Sequence, residues 1–417
     1  MDKESIRTLK EQARSAKDAS RVLYTASSEQ RNAALLYVAE LIRSGTEQIL
    51  DANRSDMKEA EDRGLPKAQL DRLRLTDSRV AQMADGVLSV AALPDVVGRV
   101  RDGWVRPNGL RVSRVSVPLG VIGIIYENRP NVTSDAASLC LKSGNAVMLR
   151  GSAAAFCSNS VISDLIRQGL VKADLPVDAV SMVGDTSRES AVEFMRLRGF
   201  VDCLIPRGGK SLIRSIEDNA TVPYILDGDG NCHIYVDRTA DLEMALSILE
   251  NAKCQRPGVC NSAETLLVHV DVAERFLTRV GEELSEVEIR GCDRTRQVLP
   301  LAKVATEEDY ETEFLDLILS VKVVDSIDEA IDHIASYGSG HSEAIVTSEL
   351  LMADYFKKKV DAAAVLVNAS TRFVDGGEVG FGAEIGISTQ KLHARGPMGL
   401  EQLTTLKFII EGEGQIR

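Results

Sequence analysis

The sequence predicts an α/β protein of two doubly wound domains in tandem, with a small β element beside them, and three observations carry that reading. From Gly120 onward, short continuous apolar runs recur at residues 121–125, 146–149, 180–183 and 201–205. Runs of that kind read as parallel strands buried on both faces. Helix-length segments separate them, as crossovers between parallel strands require. The alternation then repeats, with strands expected near 234–236, 265–268, 321–324, 344–346 and 364–367, and helices near 240–252, 271–285, 326–337 and 348–360. At 417 residues, the chain has room for two or three ordinary domains.

Ahead of these strands, residues 5–93 read as three or four helices. Leu35, Val38, Ala39 and Ile42 recur at i, i+3, i+4 and i+7, and Ser27 with Gln30 has the spacing of a capping box. Between residues 103 and 117 the pattern shortens around Pro107-Asn108-Gly109, and Val105, Leu110, Val112 and Val115 mark a two-stranded ribbon. The apolar tail, 403–410, reads as one more strand with no partner nearby in sequence. An isolated ribbon and an isolated tail strand both leave open edges, so each is expected to complete a neighbouring subunit's sheet in a homodimer or dimer of dimers.

Charge excludes some functions. Lys and Arg number 49 against 62 Asp and Glu, a net charge of -13, which is the wrong sign for holding a nucleic-acid backbone. Met1-Asp2-Lys3-Glu4-Ser5 carries no targeting signal, and the most apolar stretch, 115–125, is interrupted by Pro118 and Gly120 and falls short of the ~18 residues of a membrane helix. No membrane partner is expected, and a cytoplasmic location is. The seven cysteines are odd in number and scattered without a CxxC pair, so neither a disulfide framework nor a zinc site is read, and no metal is expected.

One cysteine stands apart. Cys260 lies in Cys254-Gln255-Arg256-Pro257-Gly258-Val259-Cys260-Asn261-Ser262-Ala263-Glu264, a Gly- and Pro-containing loop ahead of an expected strand. A nucleophilic cysteine needs an accessible thiolate with backbone N–H donors nearby, which such a loop supplies. The competing reading, a small apolar core residue, fits that loop composition poorly.

Four segments in order carry a resemblance: Ser116-Val117-Pro118-Leu119-Gly120-Val121-Ile122-Gly123; Tyr126-Glu127-Asn128-Arg129-Pro130-Asn131-Val132-Thr133; Gln255-Arg256-Pro257-Gly258-Val259-Cys260-Asn261; and the run from Gly376 to Thr389. Over essentially its whole length the chain resembles the aldehyde dehydrogenase superfamily, and within it the branch that reduces L-glutamyl 5-phosphate to the 5-semialdehyde with NADPH in proline biosynthesis. The resemblance implies a cofactor-binding domain over 1–235, interrupted by the ribbon, a catalytic domain over 236–365, and a return over 366–417 ending in an oligomerisation strand. It makes Cys260 the nucleophile and Asn128 the amide of the oxyanion hole. It assigns Arg150, Gly151 and Ser152 to the adenosine ribose or its phosphate, Arg207, Gly208, Gly209 and Lys210 to the pyrophosphate side, and Glu313 to the nicotinamide ribose. No GxGxxG fingerprint follows a first strand, so the glycines alone carry little weight.

Arg129, His341, Arg372 and Glu384 are candidates for the substrate head group and phosphate, since arginine forks suit both anions. The upstream glutamate 5-kinase is a candidate partner. Leu226 falls where hydrolytic members carry the glutamate that activates water. A leucine cannot deprotonate water, so an acyl group on Cys260 is expected to await another acceptor such as phosphate, with Asp227 one residue away as the rival base. The alternatives are a hydrolytic or coenzyme A-acylating dehydrogenase and a catalytically silent nucleotide-binding member of the fold.

Overall fold

The computed structural model describes residues 8–417, so the charged N-terminus and the expected start of the first helix at Ser5 lie outside the described residues. The chain forms two compact units. The first runs to Leu226 and takes in Phe381–Gly386 and Met398–Arg417; the second comprises Asp227–Gly380 and Ile387–Pro397.

In the first unit the leader forms five helices among the described residues: Leu9–Leu23, Ser28–Ser44, Thr46–Asp62, Lys67–Leu73 and Asp77–Ala92. The extra one is Lys67–Leu73, whose 7 residues are too few to show a period. Leu35, Val38, Ala39 and Ile42 are all buried, and the box at Ser27 and Gln30 forms with both of its hydrogen bonds. The ribbon follows as β1 (Val100–Val105) and β2 (Arg111–Pro118), paired antiparallel around a turn where Gly109 takes φ +90°. Strands β3 (Val121–Tyr126), β4 (Ala146–Arg150), β5 (Val180–Met182) and β6 (Cys203–Arg207) make a parallel sheet in the order β5-β4-β3-β6. β6 starts later than the apolar run suggested. Asp202 is occupied instead by the Val121 N–H and by Lys17, each at 2.7 Å.

The tail corrects one expectation. Thr404–Glu411 is a strand, but it pairs antiparallel with β2 from Thr404 opposite Pro118 to Glu411 opposite Arg111, giving a three-stranded sheet with β2 at its centre. Sequence distance hid a partner that lies in the same chain. β1 and the tail strand remain as edges, exposed along almost their whole length, with Trp104 set edge-on to Phe408 at 6.4 Å.

The second unit is a parallel sheet of β7 (Cys232–Val236), β8 (Ala263–His269), β9 (Glu288–Gly291), β10 (Lys303–Val304), β11 (Ile318–Val324), β12 (Ser342–Val346) and β13 (Ala364–Val367), ordered β10-β9-β11-β8-β7-β12-β13. Neighbours along β7 and β8 face opposite layers. Ile234 and Leu266 pack with Phe276 and Val321 in one core, while Tyr235 and Leu267 pack with Phe356 and Ile345 in the other. Two-sided burial is what continuous apolar runs signal, and it makes the domain doubly wound. β9 and β10 went unread because they are short and carry charge. No helix among the described residues is long and apolar enough to cross a membrane.

Candidate active site

In the second unit the chemistry gathers at the amino ends of β7, β8 and β12. Cys260 sits half-buried on the turn between the helix Leu242–Cys254 and β8, closed by the Ser262 N–H donating to the Val259 carbonyl at 3.0 Å. Gly230, entering β7, lies against it so tightly that a β-carbon there would stand 2.6 Å from the Cys260 Cα. The Gly230 N–H donates to Glu313 Oε1 at 2.8 Å, which brings the expected ribose carboxylate to the back of the turn that carries Cys260.

The other flank of the turn is held by Asn261. Its carbonyl accepts the Thr371 hydroxyl at 2.6 Å, its Nδ2 donates to the Val374 carbonyl at 3.0 Å, and its Oδ1 accepts from Arg372. Arg372 also donates through Nε to Gln255 at 3.1 Å. Burial and the neighbouring Arg256 lower its pKa, against the carboxylates of Asp375 and Glu378, which favour the cation. Cys260, Glu313 and Arg372 are thus brought together through two hydrogen-bonded neighbours, Gly230 and Asn261.

His341 is placed differently from a solvated loop histidine. It is fully buried; its Nδ1 lies 2.7 Å from Ser342 Oγ and 3.6 Å from Cys232 Sγ, and burial pulls its pKa down to about 4, so the ring is neutral at pH 7. Cys232 in turn donates to the Cys260 carbonyl at 3.2 Å, and burial holds its thiol well above the ordinary range, which makes it a packing group. The stretch around His341 borders a cavity of about 390 Å³ lined by Ser339, Gly340, Glu343, Lys391 and Arg395.

The first unit carries the remaining candidates. Asn128 follows β3 and is half-buried; Ser152 Oγ donates to its Oδ1 at 2.7 Å, and its Nδ2 donates to Gln69 Oε1 at 3.1 Å. The amide is therefore oriented through its oxygen, leaving its second N–H to point elsewhere. Arg129 is half-buried beside it.

Arg150, at the end of β4, turns its Nη2 back onto the carbonyls of Thr186 and Ser187 at 2.7 and 2.8 Å. Gly151 admits Asn159, whose Nδ2 would stand 2.2 Å from a β-carbon. Gly208 is similarly crowded by Glu127, which accepts the Gly209 N–H at 3.2 Å. No side chain caps the helix Lys210–Asn219 that starts there. With Arg207 half-buried and Lys210 exposed beside it, that helix start suits the pyrophosphate of a dinucleotide. Glu384 is half-buried in the segment Phe381–Gly386.

Leu226 is half-buried. Asp227 Oδ1 accepts the Ile387 N–H at 2.9 Å, so the carboxylate next to it already holds backbone.

Sequence reading missed Gly230 and Gln69. Gly230 stands in Asp227-Gly228-Asp229-Gly230, where a glycine beside polar residues signals only a turn. Gln69 lies in the short unread helix. The pair formed by Lys253 and Glu264 was missed too, since charges eleven residues apart carry no periodic signal.

The model of the aldehyde dehydrogenase family matches residues 2–313. The chain is 58% identical over 407 residues to gamma-glutamyl phosphate reductase of Carboxydothermus hydrogenoformans, covering 97% of this chain and 98% of that one. It is 56% identical to the enzyme of that name from Moorella thermoacetica, over 96% of this chain and 97% of the relative. The crystal structure of gamma-glutamyl phosphate reductase from Thermotoga maritima superposes with a TM-score of 0.95 at 49% identity, covering 98% of this chain and 99% of that one. A propionaldehyde dehydrogenase from Rhodopseudomonas palustris, solved with bound CoA and an acylated cysteine, shares the fold at 14% identity and a TM-score of 0.71, over 99% of this chain and 98% of that one.

Proposed function

The chain belongs to the aldehyde dehydrogenase family, and from that premise we propose that it reduces L-glutamyl 5-phosphate to L-glutamate 5-semialdehyde and phosphate, a step of proline biosynthesis, through a thioester on Cys260. The observation that carries the reading is the half-buried Cys260 thiol on a turn seated against Gly230, in a chain whose near full-length relatives bear the name of this reaction.

The Cys260 thiolate attacks the acyl carbon, the carbon–oxygen bond to phosphate breaks, and phosphate departs with the electron pair. Asn128, with its Oδ1 held by Ser152, offers an N–H to the oxyanion, a contribution of ~2.7 to 4 kcal/mol in comparable sites. A nicotinamide cofactor, NADPH, supplies the hydride when bound. Arg207, Gly208, Gly209 and Lys210 would hold its pyrophosphate, Arg150, Gly151 and Ser152 its adenosine ribose, and Glu313 its nicotinamide ribose. Arg129, Arg372, Glu384 and His341 form the substrate's surroundings. Arginine suits the phosphate and carboxylate, while the neutral His341 ring packs on Cys232, whose thiol donates to the Cys260 carbonyl.

Phosphate, and not water, is the acyl acceptor in the reverse direction. Leucine occupies position 226, and Asp227 is engaged by the Ile387 N–H. Open edges on β1 and the tail strand, rich in exposed Trp104, Val105, Phe408 and Ile410, fit a homo-oligomer. Acyl phosphates hydrolyse readily, which favours direct supply by a glutamate 5-kinase and a shared cytoplasmic location.

The test is NADPH oxidation on L-glutamyl 5-phosphate generated in place by a kinase. Turnover should fall below about 1% in Cys260→Ser, because a hydroxyl is far harder to ionise than a thiol, while NADPH binding persists. A fully active serine variant would sink the nucleophile.

A further inference from the structure

We propose that the buried ion pair Lys253–Glu264 is a positioning device for the catalytic turn, fixing where Cys260 stands; the proposal rests on the reading of Cys260 as the nucleophile. Lys253 Nζ lies 2.6 Å from Glu264 Oε2, and both side chains are fully buried. Lys253 belongs to the last turn of Leu242–Cys254 and Glu264 is the second residue of β8, so the pair joins the two ends of the segment that carries Cys260.

The pair is poorly explained by stability. Desolvating two charges cancels most of their attraction, and apolar residues of similar volume are often as good or better. Burial pushes Glu264 up to about 7 and pulls Lys253 down, the mark of a costly site. Such a pair is worth having where it fixes geometry.

Its connections lead to the chemistry. Glu264 Oε1 accepts the Leu315 N–H at 3.1 Å, and Leu315 holds φ +55°, a left-handed conformation uncommon for leucine. Two residues before it, Glu313 accepts the Gly230 N–H at 2.8 Å, and Gly230 presses on the Cys260 backbone. Lys253, Glu264, Leu315, Glu313 and Gly230 thus form a closed brace around the turn, coupling the thiol to the carboxylate read as the ribose ligand.

The test uses the full chain with Lys253→Met/Glu264→Leu, which removes both charges and keeps the volume. Its urea midpoint should stay near that of the unmodified protein, while kcat falls at least 10-fold, KM changes less than threefold, and alkylation of Cys260 by iodoacetamide, followed on its own peptide by mass, slows at least fivefold. A folded double variant with unmodified kcat and alkylation rate would overturn the proposal. Should the double variant fail to fold, Glu264→Gln decides: Lys253 and the Leu315 N–H face different carboxylate oxygens, and the amide turns an NH2 donor toward one of them, so kcat should drop at least fivefold, and an unchanged kcat overturns the proposal equally. Failure of the underlying reading looks different, since the unmodified protein would then keep its turnover after stoichiometric alkylation of Cys260.

Discussion

Gly230 approaches Cys260 so closely that a β-carbon built on it would stand 1.6 Å from the Cys260 carbonyl oxygen. No side chain fits there without moving the turn that carries the thiol. Gly230→Ala should therefore lower kcat at least 100-fold. Gly86→Ala, mid-helix with its nearest neighbour at 3.8 Å, should leave kcat within twofold and raise stability by about 0.5 to 1 kcal/mol. Steady-state kinetics and urea unfolding of the two variants check both statements.

Ser152 makes a second prediction, because its hydroxyl orients the Asn128 amide by donating to Oδ1 at 2.7 Å. Ser152→Ala should reduce kcat about 10-fold and Asn128→Ala about 10²-fold, as for loss of an oxyanion donor. If Ser152→Ala raises only the KM for cofactor, the hydroxyl serves the ribose alone.

Arg150 spends its Nη2 donors on the carbonyls of Thr186 and Ser187. Arg150→Ala should loosen that loop and weaken NADPH and NADH by similar factors, and loss of Arg207 or Lys210, placed on the pyrophosphate that both cofactors carry, should do the same; a loss confined to NADPH would put its 2′-phosphate at the residue removed. Fluorescence titration with both cofactors separates the two outcomes.

Much of the fold was legible because burial on both faces writes itself as continuous apolar runs. Val121–Tyr126 and Ala364–Val367 appear in the structure almost where the runs stand. What was not legible depends on partners far away in sequence. The tail strand gave no hint of β2, and nothing near Gly230 announces Cys260, 30 positions on by numbering. The place of Cys260 on a half-buried turn was legible from the Gly and Pro of its loop. His341 was only half legible: it stood as a candidate for the substrate, but neighbouring Ser342 begins a fully buried strand, and the ring follows it inside.

Burial also makes histidine a source of acid sensitivity. His333 packs edge-on against Tyr310 at 4.9 Å, both of its ring nitrogens lack hydrogen-bond partners, and burial pulls its pKa down to about 3. A lowered folded value means that the unfolded chain takes the proton first. The contribution of neutral His333 is thus complete above about pH 6.5 and is lost as pH falls toward 3, at about 1.4 kcal/mol per pH unit. His333→Phe keeps the aromatic packing, so the difference between variant and unmodified protein in urea unfolding should grow in favour of the variant below pH 6.5 with that slope. Parallel curves would place the imidazole in a solvated site.

The most direct measurement of the central claim is NADP+ reduction by L-glutamate 5-semialdehyde with and without inorganic phosphate. With leucine at position 226 and the Asp227 Oδ1 accepting the Ile387 N–H, water is not expected to be activated toward an acyl group on Cys260. Without phosphate, reduction should stop after about one equivalent per site, and adding phosphate or arsenate should restore steady turnover. Sustained oxidation at the same rate in phosphate-free buffer would contradict the account and identify the chain as a hydrolytic dehydrogenase.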